Sequence, residues 1–576
     1  MNLPTPAIVA QSAVRRLPRW ALLLFCAAYV LAGFIGRGPW KNADISAFGY
    51  MLELAHGRTD WLHPTLGGLA PETDGLLPYW LGAWALRLAP AWVPPELAAR
   101  LPFVLLLALT LAATWYAVYS LARSPRAQPV VFAFGGEARP KDYARAIADG
   151  GLLALVACLG LAQLAHEGTA YLTQLAFAAL TFFALAGAPH RPVAAAISLV
   201  GGLLGLTLSG APALAALFGG GGALLAWIES RQHDGDDTAN PQSAPALRHW
   251  AIVAAGLTVA VAVVAWALAL WQWRIEPPEG SDWRGFGRLL LWFTWPTWPL
   301  ALWTLWRWRR QWATAQLHRH LLLPVWFAAL AVLATLFTVP ADRALLLGLP
   351  PLAALAAFAL PTLERSVGAL IDWFTLLFFT GAAIVIWVVY IAMQTGWPHQ
   401  PAANVARLAP GFVASFSPLA LALALAATLA WGLLVRWRAG RQRHALWKSV
   451  VLPAGGAALA WLLLMTLWLP LLDYARSYAP QVQRVVSLMG SRPDQPAGCA
   501  EFRGFSRSQI AAFQFHGNLV LHPVGEAHCG WLLVDADAPG VVPRAPGASH
   551  WVFVATVARP ADPKDTVELY RRRDGR

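Results

Sequence analysis

A succession of long apolar stretches restricts the fold of this sequence more than any other feature. About thirteen of them approach the roughly 20 residues that a transmembrane helix needs. Because lipid offers no hydrogen-bond partners to the backbone, a chain that crosses it repeatedly must do so as helices. The stretches lie at 20–36, 96–122, 150–165, 169–187, 192–209, 211–229, 250–272, 288–306, 321–339, 343–361, 367–393, 411–435 and 449–470. The sequence therefore predicts an all-α polytopic membrane protein.

The composition excludes other classes of protein. Of the 576 residues, 58% are hydrophobic and only 13% are charged, whereas a soluble domain carries about 25% charged residues. Disordered chains are poor in aromatic residues, but this chain contains 31 tryptophans. The net charge of +13 would suit a nucleic-acid binder, but the basic residues lie in short loops, as the positive-inside rule describes. We therefore expect membrane lipids, and no nucleic acid, among the partners.

The basic residues also predict a topology. Arginines and lysines are frequent in alternate loops, such as 436–448, and absent from the loops around 166–168 and 210. With the N-terminus in the cytoplasm, an odd number of spans places the C-terminus on the outer side of the membrane. We expect a transmembrane domain at 1–470 and a small C-terminal α+β domain at 471–576, on the outer side.

The C-terminal segment carries two cysteines and a pattern typical of short strands. Short runs rich in Val, Phe, Trp and Leu, separated by Pro, Gly and Asp, predict strands at 512–522, 531–535, 551–557 and 566–571, with a helix at 506–512. Cys499 and Cys529 would form a disulfide in an oxidising compartment and stay free thiols in a reducing one. The outer topology favours the disulfide, which would stabilise this domain by about 3–4 kcal/mol.

The loop at 37–95, between the first two predicted spans, is long and aromatic, and long ordered loops are usually functional. Its apolar positions predict an interfacial helix at 44–56, followed by Gly57 as a helix-ending glycine. The stretch 76–90 is too short to span and predicts a second interfacial helix. Asp44, at the start of the first helix, has two interpretations: a helix N-cap, or a catalytic carboxylate at the membrane surface.

The motifs of this loop resemble the first periplasmic loop of the GT-C glycosyltransferases. The similarity is greatest to the aminoarabinose transferase of lipid A and to protein mannosyltransferases. Their pattern is an acid, an interfacial helix, Gly-Asp-Trp-x-x-Pro and a proline-rich segment ending in Tyr-Trp. It occurs here as Asp44, the helix, Thr-Asp-Trp-Leu-His-Pro at 59–64 and Leu-Pro-Tyr-Trp-Leu at 77–81.

The resemblance implies a GT-C architecture and a bacterial inner-membrane location, with the N-terminus cytoplasmic and the C-terminal domain periplasmic. It also implies a glycosyltransferase that moves a sugar from an undecaprenyl-phosphate carrier to a lipid A, glycan or protein acceptor. In that interpretation Asp44 is the catalytic carboxylate, and Trp61 and Tyr79 contact substrate.

The donor phosphate needs a cation, and the resemblance does not supply one in the first loop. The aminoarabinose transferases have a lysine in a Glu-Lys-Pro motif, but the corresponding stretch at 72–75 contains none. The remaining candidates are Arg343, Arg58 or a divalent metal. Arg343 precedes a Leu-Pro-rich segment that is similar to a second family motif; the alternative is a surface ion pair with Asp342.

The short outer loop at 165–169 contains the adjacent residues His166 and Glu167. Ionisable residues at the membrane face are candidates for function. Glu167 is predicted as a second catalytic carboxylate and His166 as a substrate contact, and together they are candidate metal ligands. The alternative is a solvated helix turn.

Two further functional classes remain open from the sequence. One is a transporter or flippase of lipid-linked envelope precursors, which would show repeats and polar residues in mid-membrane. The other is a non-catalytic membrane protein of envelope assembly, for which the acidic and aromatic motifs of the first loop would have no explanation.

Overall fold

The computed structural model describes residues 5–73, 75–234, 243–271, 283–312, 318–338, 341–440, 445–490, 497–535 and 551–573. Within these residues, seven helices are long and apolar enough to cross a membrane. They are Pro95–Ala122, Ala170–Gly187, Pro212–Gln232, Pro245–Ala267, Arg365–Thr395, Pro418–Arg438 and Lys448–Leu467. Four shorter apolar helices are Arg19–Ala32, Pro192–Leu208, Arg319–Thr335 and Leu349–Thr362. The chain is a multi-pass membrane protein; the count of about thirteen spans and their orientation stay predictions.

Three apolar stretches that the sequence predicts as single helices are each divided in two. The run at 150–165 forms Pro140–Ala157 and Leu159–Leu164, the run at 288–306 forms Trp283–Phe293 and Thr297–Arg307, and the run at 343–361 forms Ala341–Leu346 and Leu349–Ala359. Proline explains two of the breaks. Pro296 and Pro350 lack an amide hydrogen, and each lies at the beginning of the second helix, where no intrahelical hydrogen bond is lost.

The first loop forms the two predicted helices, at Ala43–Ala55 and Leu77–Leu88. Gly57 has φ +69°, as a glycine that ends a helix requires. The remaining short helices are Gln11–Ala13, Pro125–Ala127, Arg309–Trp312, Leu360–Thr362, His399–Leu408, Leu469–Arg476, Ala479–Leu488 and Arg507–Gly517.

Contacts divide the chain into two compact units. The helical unit comprises Met1–Gly33, Phe103–Ile384 and Ala422–Leu463, and the loop-and-tail unit comprises Phe34–Pro102, Val385–Leu421 and Leu464–Arg576. Among the apolar helices, the most hydrophobic window of Ala170–Gly187 is 83% buried, whereas that of Pro418–Arg438 is 11% buried. The helix Ala170–Gly187 is therefore central, and the helix Pro418–Arg438 presents its leucines to lipid.

The tail contains a five-stranded sheet in the order β2-β1-β3-β5-β4. The strands are β1 (Ala497–Arg503), β2 (Leu519–Pro523), β3 (Trp531–Asp535), β4 (Trp551–Arg559) and β5 (Asp562–Arg572). Strand β1 pairs in parallel with β2 and β3, while β5 pairs antiparallel with β3 and β4. The predicted α+β character of the tail is confirmed.

One predicted strand of the tail is wrong, and one strand was not predicted. Most of 512–522 belongs to the helix Arg507–Gly517, because Ser506 and Gln509 form a reciprocal capping box at its start. Asn518, with φ 49°, ends this helix, and only then does β2 begin. Strand β1 was not predicted because its sequence, Ala-Gly-Cys-Ala-Glu-Phe-Arg, lacks the β-branched residues that mark a strand.

Candidate functional site

Asp44 lies near the beginning of the helix Ala43–Ala55, and its side chain is only 3% exposed. One carboxylate oxygen, Oδ2, accepts three hydrogen bonds of 3.0 Å each. The donors are Arg37 Nη2, Arg100 Nη2 and the backbone N–H of Trp40. Charge-assisted bonds of this kind stabilise the ionised carboxylate. Asp44 therefore lies in an ion pair with two buried arginines.

The N-cap interpretation of Asp44 is wrong. The N-cap residue is Asn42, which makes no side-chain capping bond, and Asp44 reaches back toward the segment before the helix. Asn42 has φ 72°, a conformation that costs a non-glycine residue about 1–3 kcal/mol and persists only where its surroundings enforce it. Part of this enforcement comes from Ser508, whose hydroxyl donates to the Asn42 carbonyl at 3.1 Å.

Further contacts connect the two arginines to the backbone around Asp44. Arg100 also donates to the carbonyls of Arg37 and Gly38. The Arg37 guanidinium lies 4.4 Å from the centre of the Trp40 ring. We call Arg37, Trp40, Asp44 and Arg100, together with Asp473, the Asp44 cluster.

Asp473 completes the Asp44 cluster from the helix Leu469–Arg476. Its carboxylate accepts from Trp40 Nε1 at 2.6 Å and from the Gly38 N–H at 3.3 Å. Burial raises the pKa of Asp473, although these two hydrogen bonds act in the opposite direction. The cluster thus fixes the segment between the first apolar helix and the first-loop helix.

Sequence reasoning did not find Arg37, Arg100 or Asp473. Arg100 did carry a signal, because an arginine inside a predicted span is costly and therefore needs a partner or a function. Arg37 and Asp473 carried none, since each lies in a polar stretch where a charged residue is ordinary.

Arg58, three residues after the helix Ala43–Ala55, pairs with Glu53 in the last turns of that helix. Its Nε lies 3.1 Å from both Glu53 carboxylate oxygens, and its Nη2 donates to Oε1 at 2.7 Å. These hydrogen bonds raise the pKa of Arg58. The structure therefore shows Arg58 in a bidentate ion pair, and its predicted phosphate contact would have to compete with Glu53.

Trp61 and Tyr79 connect the two helices of the first loop. The Trp61 ring stacks on Trp84 with centroids 6.2 Å apart, and the Trp61 carbonyl accepts from Trp80 Nε1 at 2.8 Å. Tyr79 is buried, with its ring centroid 5.2 Å from that of Tyr50. Trp61 and Tyr79 therefore stabilise the fold of the first loop.

The loop packs on the tail within the loop-and-tail unit. A Cβ placed on Gly49 would lie 2.6 Å from the Ala511 Cβ, so the two helices approach closely at a residue without a side chain. Phe48 and Phe515 pack edge to face at 4.8 Å. Lys41 pairs with Asp562 at 3.2 Å. The helix Arg507–Gly517 thus supports the helix that carries Asp44.

The tail is closed by the disulfide Cys499–Cys529, with Cα atoms 5.3 Å apart. The structure therefore contains the predicted pairing and not two free thiols. The disulfide joins β1 to the segment two residues before β3. Next to it, the buried Glu501 accepts from the Cys529 N–H at 3.2 Å and from Arg572 Nη2 at 2.6 Å.

His166 lies in the helical unit and is completely buried. Its Nε2 lies 3.0 Å from the Tyr29 carbonyl oxygen, and its Nδ1 lies against the Ala162 carbonyl oxygen. The ring packs against Tyr29 and Trp461 at 5.3 and 4.7 Å. Gly33 makes this packing feasible, because a Cβ there would lie 2.3 Å from the His166 ring.

Glu167 and Arg343 belong to the same region of the helical unit. Glu167 is buried and accepts from Gln163 Nε2 at 3.3 Å. The helix Ala341–Leu346, which carries Arg343, packs against the helices on both sides of the His166–Glu167 turn. The Arg343 guanidinium lies 4.6 Å from the centre of the Tyr171 ring. The structure thus brings Arg343 to the region of the His166–Glu167 turn, which the sequence predicted separately from it.

Arg343 and Asp342 each have a buried polar atom without a hydrogen-bond partner among the described residues, namely Arg343 Nε and Asp342 Oδ1. Leaving a buried donor unsatisfied costs about 1–3 kcal/mol, so such an atom normally has a protein or ligand partner.

The described residues do not form a metal centre. No group of three or more His, Cys, Asp or Glu side chains in that part of the chain could hold a metal ion. Both ring nitrogens of His166 already face carbonyl oxygens, so His166 has no nitrogen available as a ligand. The predicted His166–Glu167 metal pair does not fit this geometry.

The fold is similar to solved structures, although no family model and no curated protein matches the sequence. One is the crystal structure of ArnT from Cupriavidus metallidurans in the apo state, with 16% identity and a TM-score of 0.59. Another is the same protein bound to undecaprenyl phosphate, with 15% identity and a TM-score of 0.55. Each comparison covers 96% of this chain and 98% of that chain.

An oligosaccharyltransferase of Archaeoglobus fulgidus is also similar, at 10% identity and a TM-score of 0.41, over 87% of this chain and 64% of that chain. ArnT is an aminoarabinose transferase of the GT-C class. The GT-C fold that the first-loop motifs predicted is therefore confirmed.

Proposed function

We propose that this protein is a glycosyltransferase that takes a sugar from an undecaprenyl-phosphate carrier and transfers it to a lipid A, glycan or protein acceptor on the outer, periplasmic side of the inner membrane. One observation carries the proposal: the chain shares its fold over nearly its whole length with ArnT, including ArnT bound to undecaprenyl phosphate. The first-loop motifs support the same conclusion independently, since they are defined by sequence and not by fold.

The transfer requires a proton acceptor and a cation. An acceptor hydroxyl attacks the anomeric carbon of the sugar, the bond from that carbon to the phosphate oxygen breaks, and the hydroxyl proton passes to a carboxylate. The negative charge that develops on the phosphate needs a positive partner. We assign the carboxylate role to Asp44, with Glu167 as the second carboxylate, and the phosphate role to Arg343.

Three features of Arg343 support its assignment. It lies beside the turn that carries Glu167, its Nε is buried without a partner among the described residues, and its other contact is the face of Tyr171. A guanidinium can bind two phosphate oxygens at once. Arg58 is a weaker candidate because Glu53 already occupies its guanidinium edge.

The proposal does not require a metal. His166 is unsuited to bind one, and we assign it to positioning Glu167 through its contacts with the carbonyls of Ala162 and Tyr29. Trp61 and Tyr79 are assigned to the shape of the first loop and, through it, to contact with the substrate.

The test is a transfer assay with purified protein in detergent and a radiolabelled sugar on polyprenyl phosphate. Wild-type protein should release polyprenyl phosphate and label the acceptor. Arg343→Ala should weaken donor binding by about 2–5 kcal/mol, the range for loss of a charge-assisted contact at a poorly solvated site. Arg343→Lys should retain part of this affinity because it retains the charge.

Arg309→Ala is the matched control, because Arg309 also lies over an aromatic ring, that of Trp306 at 4.8 Å, but in a loop predicted to be cytoplasmic. Equal donor affinity in Arg343→Ala and Arg309→Ala would exclude the phosphate role of Arg343. Movement of the labelled carrier across a vesicle membrane without any sugar transfer would instead indicate a flippase.

A further inference from the structure

We propose that the helical unit contains a binding site for one anionic phospholipid of the surrounding bilayer. The site is a cavity of about 590 Å³, a size typical of ligand pockets. It lies between the segment that precedes the first apolar helix, Arg19–Ala32, and the helix Pro418–Arg438. Its principal lining residues are Arg15, Arg16, Leu433, Leu434, Trp437 and Trp447.

The walls of the cavity are fixed by hydrogen bonds. Trp447 Nε1 donates to the Arg15 carbonyl at 2.9 Å, and the Leu446 N–H donates to the Ala13 carbonyl at 3.0 Å. The rings of Trp437 and Trp447 are nearly parallel, with centroids 5.9 Å apart. Tryptophan prefers the level of the lipid headgroups, so these rings place the cavity at the membrane interface.

The polar end of the cavity is positively charged. Arg15 and Arg16 are both exposed. Arg16 pairs with Asp142 at 2.9 Å, yet 65% of its side chain remains accessible. Arg16 thus stays accessible to a second anion although it already pairs with Asp142. Basic pockets between transmembrane helices on the cytoplasmic side are typical binding sites for anionic headgroups.

The other end of the cavity opens toward lipid. Leu429 and Leu433 on the helix Pro418–Arg438 are each 69% exposed. This helix is the least buried of the seven long apolar helices among the described residues. A ligand that fits both ends has a phosphate group and a hydrocarbon chain. A bilayer phospholipid is favoured over the sugar carrier because Arg15 and Arg16 lie on the predicted cytoplasmic side, opposite the predicted side of the first loop.

The test is native mass spectrometry of the full chain, extracted from nanodiscs that contain equal amounts of phosphatidylglycerol and phosphatidylcholine. Wild-type protein should retain one phosphatidylglycerol per chain in preference to phosphatidylcholine. The double variant Arg15→Ala, Arg16→Ala should lower this retention roughly tenfold or more. Ala430→Trp should lower it by filling the cavity, since Ala430 lines it and is exposed.

Arg19→Ala is the control, because Arg19 is an exposed arginine of the same region that does not line the cavity. It should retain the lipid as the wild type does. Equal retention of the two lipids by wild-type protein would overturn the proposal, as would unchanged retention in the double variant. Displacement of phosphatidylglycerol by an equimolar polyprenyl phosphate would also overturn it, since the occupant would then be the carrier.

Discussion

Asp44 and the turn at His166 and Glu167 are both acidic positions that the sequence singled out, but their surroundings differ. Asp44 is held by two buried arginines and a backbone amide. Near the turn, Arg343 and Asp342 each retain a buried polar atom without a partner among the described residues. Hydrogen bonds to a buried carboxylate fix its position. The first loop is therefore held by its own hydrogen bonds and forms a frame around Asp44, whereas the phosphate role of Arg343 stays a prediction.

The largest expected effect concerns the frame. Arg100→Met removes one of the two cations that hold Asp44 and the donor to the carbonyls of Arg37 and Gly38. Breaking a buried ion pair costs about 3–5 kcal/mol. Thermal unfolding in detergent should show a loss of this size.

Arg58→Met is the control for Arg100→Met, because it breaks an ion pair in which the arginine side chain is 53% exposed. Such a pair contributes about 0–1 kcal/mol. Equal losses of stability in the two variants would contradict the view that the Asp44 cluster is the more important frame.

The next effect separates catalysis by Asp44 from its structural role. Asp44→Asn removes the proton acceptor and should lower turnover by roughly 10²–10⁴-fold. It also leaves Asp473 as the one carboxylate of the Asp44 cluster beside Arg37 and Arg100, so a loss of folding could imitate a loss of catalysis. The double variant Asp44→Asn, Arg100→Gln removes one charge of each sign and keeps the cluster balanced.

The double variant decides the question. If Asp44 is catalytic, turnover stays low even in double-variant protein that unfolds at the temperature of Arg100→Gln alone. Recovery of turnover to the level of Arg100→Gln would show that Asp44 acts only through structure, and Glu167→Gln would then be the variant expected to lose catalysis.

Local patterns made the frame partly predictable from sequence. The helix around Asp44, the second loop helix and Gly57 follow from apolar periodicity and glycine geometry, which depend on neighbouring residues. The distant members of the Asp44 cluster do not, because Arg100 and Asp473 lie 56 and 429 positions further along the chain. The positions of Pro296 and Pro350 could have predicted the helix breaks, but hydropathy averaged over a window of residues does not register a single proline. The association of Arg343 with the His166–Glu167 turn depends on helix packing, which a single sequence does not encode in any local pattern.

A smaller effect tests how the tail supports the frame. Gly49→Ala places a Cβ 2.6 Å from the Ala511 Cβ and should destabilise the contact by about 1–3 kcal/mol. Adding Ala511→Gly removes the opposing methyl group and should restore part of this stability, although a glycine inside a helix itself costs about 1 kcal/mol. Unfolding temperature and turnover should change together if the tail positions Asp44. Loss of stability with normal turnover would show that the tail is only attached to the loop.

The smallest expected effect is a pH dependence of stability that is confined to the helix Arg507–Gly517 of the tail. Burial lowers the pKa of His516, on the helix that packs against the first-loop helix, to about 4. Below its ordinary pKa of about 6.5, the unfolded state binds a proton that the folded state rejects, so stability should fall as the pH is lowered from about 6.5 toward 4. Hydrogen exchange of Arg507–Gly517 should therefore accelerate at pH 5 relative to pH 7 more than intrinsic exchange rates predict. His516→Gln should remove this difference. The same acid response in His516→Gln would contradict this prediction and assign the response to other groups.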